Sequence, residues 1–381
     1  MEINELRDKI DEIDRQLIEL LARRLGVARE INEAKHALRL PLRDAHREAT
    51  VTERAQNHAP PPLHGSEAAA WMQQVLDASR AAVRRRMSSA EVAPMRIAII
   101  GLGLVGGSIA RALKRAQPAH TIVGIDLRER LGAPGESGLF ESLHTAAEGS
   151  KAVSDADAVF LCASPSRNLE LLGVLLNDVA DKCIITDVSG IKRAICDKAR
   201  ALFAGPGPLF VGGHPMAGKA VSGFANSSAD LFEGRAWVLS PEQGAPPDRV
   251  RVLQRLIESM GGAVQLLTPE EHDRIIPAVS HLPQLVSVAL MLTIGGRDHG
   301  IAGPALRDMT RLAESSGDLW QELLAASRSD VVGEIQRMRT YLTEMEIALG
   351  LGDHVTHLFE RANELRREML RKSVITPEAG E

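Results

Sequence analysis

Three groups of residues in this chain have the types and spacing to do chemistry. The first is the loop Gly101-Leu102-Gly103-Leu104-Val105-Gly106-Gly107-Ser108. A GxGxxG loop aims backbone N–H groups and the positive end of a helix at phosphate oxygens. Gly101 permits the tight turn, Gly103 lets backbone approach a pyrophosphate, and Gly106 allows close packing of helix on strand. Asp126 follows 25 positions after Gly101. A carboxylate there bonds ribose hydroxyls and repels an added phosphate, which favours NAD over NADP. Arg128 and Arg130, just behind it, soften that preference.

The second group lies downstream. His214 sits in Gly212-Gly213-His214-Pro215-Met216-Ala217-Gly218, after an apolar run and before a turn. Its near-neutral pKa suits proton transfer. His281, in Ser280-His281-Leu282-Pro283, breaks a helical pattern, and Arg311 closes Asp308-Met309-Thr310-Arg311. Arginine is the natural bidentate clamp for a carboxylate. The third group is a set of charges near the amino terminus: Arg7, Arg24, Lys35, Asp44, Arg47 and Glu48.

These residues need elements to hold them. Ile3, Leu6, Ile10, Ile13, Leu17, Leu20 and Leu21 recur at steps of three and four, predicting one helix from residue 3 to about 38. A helix of that length, about 50 Å, cannot bury its stripe alone. It calls for a second helix after Pro41, a third from about Glu67 to Met87, and a second subunit. From Met95 onward, apolar strands (Arg96–Ile100, Thr121–Ile125, Ala158–Leu161, Cys183–Thr186, Phe210–Val211, Ala236–Leu239) alternate with helical stretches. That alternation predicts a parallel α/β sheet. From Asp248 to about Arg371 the pattern is helical. The expected layout is a helical domain over 1–90, a Rossmann-type dinucleotide-binding domain over 95–245, and a helical substrate and dimerisation domain over 246–375.

Composition narrows the function. The chain has 381 residues, 44 % hydrophobic and 25 % charged, which is ordinary for globular proteins. A net charge of −5 and few aromatics (7 Phe, 3 Trp, 1 Tyr) argue against nucleic-acid binding. Cys162, Cys183 and Cys196 lack metal-ligand spacing, and no metal is expected. The charged start carries no signal-peptide core, and no apolar run suggests a membrane partner. The cytoplasm is the expected compartment. A nicotinamide-sensing regulator would need a compact helix-turn-helix, which one long stripe does not supply. A hydride-transfer enzyme remains.

The ordered set GLGLVGGS, Asp126, GGHPMAG, SHLP and Asp308-x-x-Arg311 resembles prephenate dehydrogenases, over about Met95 to Leu349. The run Leu6-Arg7-Asp8-Lys9-Ile10-Asp11, followed by Arg24, Lys35 and Arg43-Asp44-x-x-Arg47-Glu48, resembles all-helical chorismate mutases. Mutase followed by dehydrogenase is the layout of the bifunctional family of tyrosine biosynthesis. The resemblance implies chorismate and prephenate as substrates, NAD as cofactor and a homodimer. It implies Arg7 (from the partner subunit), Arg24, Asp44, Arg47 and Ser79 around chorismate, with Lys35 on the ether oxygen and Glu48 on the ring hydroxyl. In the second half it implies His214 as base, Arg311 on a substrate carboxylate, His281 and Ser189 near the substrate, and Ser164 beside the cofactor.

Three departures from the family patterns stand out. Val83 occupies the place, four after Ser79, of a Gln or Glu that would bond the ether oxygen. Asp187-Val188-Ser189-Gly190-Ile191-Lys192 carries its serine one position early for Asp-x-x-Ser-x-Lys. Gly218-Lys219-Ala220 lacks the acidic residue usual two after the glycine. The last two leave open a changed ring substituent (4-amino-4-deoxyprephenate) or arogenate. A third alternative is that the amino-terminal helices only dimerise.

Overall fold

The computed structural model describes residues 3–37, 45–175, 177–203, 205, 207–219, 221–297, 300–352 and 354–372. The chain forms two units, 1–90 and 91–375.

Among the described residues the first unit holds three helices: α1 (Ile3–Ala37), α2 (Ala45–Asn57) and α3 (Gly65–Glu91). The periodic stripe does form α1. Within one chain much of it stays in solvent: Ile3, Ile10, Ile13, Leu17 and Leu20 are all more than half exposed.

The second unit is built on one eight-stranded sheet in the order β3-β2-β1-β4-β5-β6-β7-β8. The strands are β1 (Arg96–Ile100), β2 (Thr121–Asp126), β3 (Ser142–Thr145), β4 (Ala158–Leu161), β5 (Ile184–Asp187), β6 (Leu209–Pro215), β7 (Ala236–Pro241) and β8 (Ala263–Leu266). The sequence alternates from one face to the other, as pleating requires. Ile97 and Ile99 join Phe160, Trp237, Leu253 and Ile257 on one side. Ala98 and Ile100 join Val123, Ile125, Leu172 and Ile185 on the other. Both faces are buried, which is why the strands read as continuous apolar runs.

The connections are α4 (Leu104–Ala116), α5 (Gly132–Glu136), α6 (Gly149–Val153), α7 (Pro165–Leu175), α8 (Arg193–Leu202) and α9 (Pro247–Ser259). All neighbours pair parallel except β6 and β7, which run antiparallel, contrary to the all-parallel expectation. The sheet also passes the boundary expected at 245: α9 packs into the core, and β8 pairs with β7. β3 and β8 escape a sequence reading because they are four-residue edge strands with mixed polarity. Helices α10 (Pro269–Ile276), α11 (Leu282–Ile294), α12 (Pro304–Thr310), α13 (Gly317–Ala326), α14 (Arg328–Leu351) and α15 (Thr356–Lys372) complete the unit.

A π turn, Pro277–His281, joins α10 to α11 without a break. The whole run Pro269–Ile294 is long and apolar enough to cross a membrane by length and composition. It carries four buried polar side chains, His272, His281, Gln284 and Ser287.

Candidate active site

The strand order reverses between β1 and β4, opening a crevice beyond their carboxyl ends. The glycine loop fills that place. Gly101 has φ +98°, and a Cβ there would lie 2.7 Å from the Cys162 carbonyl. A Cβ on Gly106 would stand 2.0 Å from the Gly101 oxygen, so helix and strand touch through bare backbone. Gly103, by contrast, has no atom within 4 Å of that position, which leaves the approach to the α4 N-terminus open. Leu102 is buried, while Leu104 and Val105 line the start of α4 half-buried. Ser164 sits across the crevice after β4, its hydroxyl 3.2 Å from that of Ser166.

Asp126 ends β2, as expected, but both its oxygens already accept backbone N–H groups. Leu102 donates to one and Leu127 to the other, each at 2.7 Å. The carboxylate therefore ties the loop to the strand first. One lone pair per oxygen remains for a ribose. The loop, the open Gly103 face and Asp126 together fit a dinucleotide.

His214 lies in β6, held by a buried clamp below it. Lys192 and Asp187 are both fully buried, with Lys192 Nζ 2.6 and 2.7 Å from the two Asp187 oxygens. Asp187 also accepts the N–H of Gly213 and of Ser189, both at 2.9 Å. Those bonds fix the strand residue before His214 and the loop facing it.

The His214 ring is part of a chain of hydrogen bonds. Its Nδ1 is 2.8 Å from His272 Nε2, and His272 Nδ1 is 2.7 Å from Asp273 Oδ1. Asp273 further accepts the backbone N–H groups of Lys192 (2.8 Å) and Arg193 (2.9 Å). Burial, then the nearby His272, Lys192 and His281, push the His214 pKa well below its ordinary value, against the pull of Asp273. His214 is thus neutral at pH 7 and able to take a proton. Asp273 stays ionised, at about 2, because its hydrogen bonds from His272, Arg193 and Lys192 outweigh its burial.

His281 is brought to the same neighbourhood by the π turn. Nine steps of about 100° would place it on the face opposite His272, and one residue absorbed by the π turn reduces the angle to about 80°. Its Nδ1 is 3.0 Å from Ser327 Oγ, and its ring meets Trp320 edge-on at 5.6 Å. The Ser327 hydroxyl donates to the Leu323 carbonyl (2.8 Å), so it accepts from His281 Nδ1–H. His281 Nε2 is left as an acceptor.

Ser189, expected near the substrate, is bonded into the scaffold. It is 4 % exposed, and its hydroxyl accepts Asn168 Nδ2 at 3.0 Å, clipping β5 to α7. The residue facing His214 is Gly190: a Cβ there would lie 3.7 Å from His214 Nε2. The serine is spent on the scaffold because it comes one position too early. Arg311 is exposed on the short turn Arg311–Glu314 and takes no part in the histidine chain. That turn is tied to α11 by Gln284, which donates to the Leu312 carbonyl at 2.7 Å.

Sequence reasoning missed His272 and Asp273. The only signal was a His-Asp pair in the Thr268-capped helix start, where polar residues are ordinary.

In the helical unit, α1 and α3 meet where half-buried Arg24 donates to buried Ser79, whose hydroxyl donates to the Val75 carbonyl at 2.6 Å. Lys35 lies further along α1 and Arg47 and Glu48 open α2, Lys35 and Glu48 half-buried and Arg47 exposed. Arg7 is exposed near the start of α1, about 25 Å from Arg24 at 1.5 Å per residue. Asp44 and Ala220 lie outside the described residues.

Comparison with known proteins agrees with this division. Residues 6–84 match the family model for chorismate mutase type II. Residues 109–266 match the prephenate dehydrogenase nucleotide-binding domain, and 268–364 its dimerization domain. A prephenate dehydrogenase of Lactococcus lactis is 31 % identical over 283 residues, covering 72 % of this chain and 77 % of that protein. A T-protein of Haemophilus influenzae is 22 % identical over 280 residues, covering 71 % and 64 %. The crystal structure of prephenate dehydrogenase from A. aeolicus, in complex with hydroxyphenyl propionate and NAD+, superposes with a TM-score of 0.65. It is 24 % identical and covers 73 % of this chain and 99 % of that one. The chain belongs to the prephenate dehydrogenase family and carries a type II chorismate mutase domain ahead of its dehydrogenase domains.

Proposed function

We propose that this protein is a cytoplasmic homodimeric enzyme that rearranges chorismate to prephenate and oxidatively decarboxylates prephenate to 4-hydroxyphenylpyruvate with NAD. The observation that carries the dehydrogenase half is the place of His214, at the carboxyl end of β6 with Nδ1 bonded to His272 and Nε2 toward Gly190. Bound along that loop, NAD supplies the hydride acceptor. His214 Nε2 takes the proton of the ring hydroxyl as hydride leaves the same carbon. The ring carboxylate departs as carbon dioxide, its bonding pair completes the aromatic ring, and His214 returns the proton to the phenolic oxygen. Arg311 is the candidate clamp for a substrate carboxylate.

The mutase reaction needs positioning and charge stabilisation rather than a covalent catalyst. Arg24, held by Ser79, and Arg47 would grip the two carboxylates; Lys35 would face the ether oxygen and Glu48 the ring hydroxyl. Arg7 would come from a second copy. The exposed stripe of α1 supports that dimer, as do the exposed Tyr341, Leu342, Ile347 and Leu351 of α14.

Gly190, beside His214 where the family serine would stand, favours one competing reading: a substrate with an amino group in place of the ring hydroxyl. The deciding experiment is kcat/KM for the purified enzyme with NAD on prephenate, arogenate and 4-amino-4-deoxyprephenate, with chorismate consumption followed separately. A prephenate value highest of the three supports the proposal. A value a hundredfold below either rival overturns it. His214→Asn should lower dehydrogenase turnover by about two to four decades. Unchanged turnover would remove His214 from the mechanism.

A further inference from the structure

We propose that His272 and Asp273 are positioning residues for the dehydrogenase reaction, locking His214 into the tautomer that can accept a proton and sharing the charge it acquires. The inference rests on the reading of His214 as the base. It follows from the direction of the hydrogen bonds. Asp273 is ionised and can only accept, so His272 must carry its proton on Nδ1. His272 Nε2 is then a lone pair, and the proton between the rings belongs to His214 Nδ1. His214 Nε2 is left as the acceptor, on the ring edge toward Gly190.

The surroundings make the second part of the role necessary. Lys192, paired with Asp187, and His281 are the other titratable groups that act on His214 and His272, and Arg193 binds both Asp273 and Asp330 at 3.2 Å. Lys192 and the neighbouring histidines oppose a new positive charge at His214. Asp273 is the anion coupled to it through hydrogen bonds, two links away. When His214 takes the substrate proton, its Nδ1–H strengthens toward His272, and His272 Nδ1–H toward Asp273. No proton need leave the chain; it returns along the same bond when the product oxygen is reprotonated.

The experiment uses the full-length enzyme and three substitutions, His272→Leu, His272→Gln and Asp273→Asn. Each is read by kcat, KM and the pH dependence of kcat, with melting temperature and NAD affinity as checks on the fold. His272→Leu should lower kcat about a hundredfold with KM within threefold of wild type. His272→Gln retains an acceptor for His214 Nδ1–H and should recover about tenfold of that loss. Asp273→Asn removes the anion, so the acid limb of the profile should move to lower pH while the plateau falls. An amide at 273 would face a backbone N–H of Lys192 or Arg193, so this variant can lose the fold, and the His272 pair then decides. Wild-type kcat and an unmoved acid limb in folded His272→Leu would overturn the proposal. If His214→Asn itself turns over normally, the reading of His214 has failed instead.

Discussion

Gly190 separates Leu323 of α13 from the ring of His214. A Cβ added to Gly190 would lie 3.1 Å from Leu323 Cδ2 and 3.7 Å from His214 Cε1 and Nε2. With no side chain at residue 190, Leu323 and the Nε2 edge of His214 both border the same small space. Gly190→Ser would put a hydroxyl beside Nε2 and press on Leu323, so Gly190→Ser with Leu323→Val is the relaxed test. Sites that bond a substrate group reject analogues lacking it strongly. We expect the double variant to change the ratio of kcat/KM between prephenate and its 4-amino analogue by about tenfold, with KM for NAD unaltered. A ratio within twofold of wild type would show that residue 190 does not read the ring substituent.

Asp126 anchors the glycine loop, and we assign it the ribose hydroxyls of the dinucleotide as well. Asp126→Ser should therefore do two things. The preference for NAD over NADP in kcat/KM should fall by about tenfold, and the melting temperature should drop by a few degrees as the Leu102 and Leu127 amides lose their acceptor, a cost of about 1–3 kcal/mol. Steady-state kinetics with both cofactors and a thermal melt check it. A wild-type preference for NADP would contradict the assignment.

Acid should destabilise the dehydrogenase unit beginning near pH 6.5. His120, His214, His272 and His281 are each pushed below their ordinary pKa, first of all by burial. Between the folded and unfolded values the unfolded chain binds more protons, so stability is present above pH 6.5 and drains as pH falls. Each group contributes a slope of up to about 1.4 kcal/mol per pH unit. Chemical denaturation at pH 7.5, 6.5 and 5.5 should show the midpoint falling steadily. A midpoint constant over that range would mean these histidines are not buried neutral.

Much of this architecture is written locally. The α1 stripe, the strand–glycine–helix passage at Gly101 and the acid at Asp126 each follow from spacing, because helix, turn and dinucleotide site impose their own periods. The partners of His214 were not legible, since residues 214 and 272 meet only through the folding of α10 against β6 and α8. Ser189 misled for a related reason. Its type suits a substrate contact, but Asn168, fixed by the Leu161 and Ala163 carbonyls, claims its hydroxyl. The edge strands β3 and β8 were hidden because their pairing partners, rather than their own residues, make them strands.

The length of α1 has a further consequence. A straight rod holds Arg7 and Arg24 about 25 Å apart, beyond the span of one small dicarboxylate. A mutase pocket using both residues must then draw them from two chains. Two inactive proteins, one with Arg7→Ala and the other with Arg24→Ala, would complement each other when co-refolded. Half the dimers would be mixed, each with one doubly damaged and one intact pocket, restoring about a quarter of the wild-type sites. Complementation of that size would come from geometry alone, without either chain being repaired.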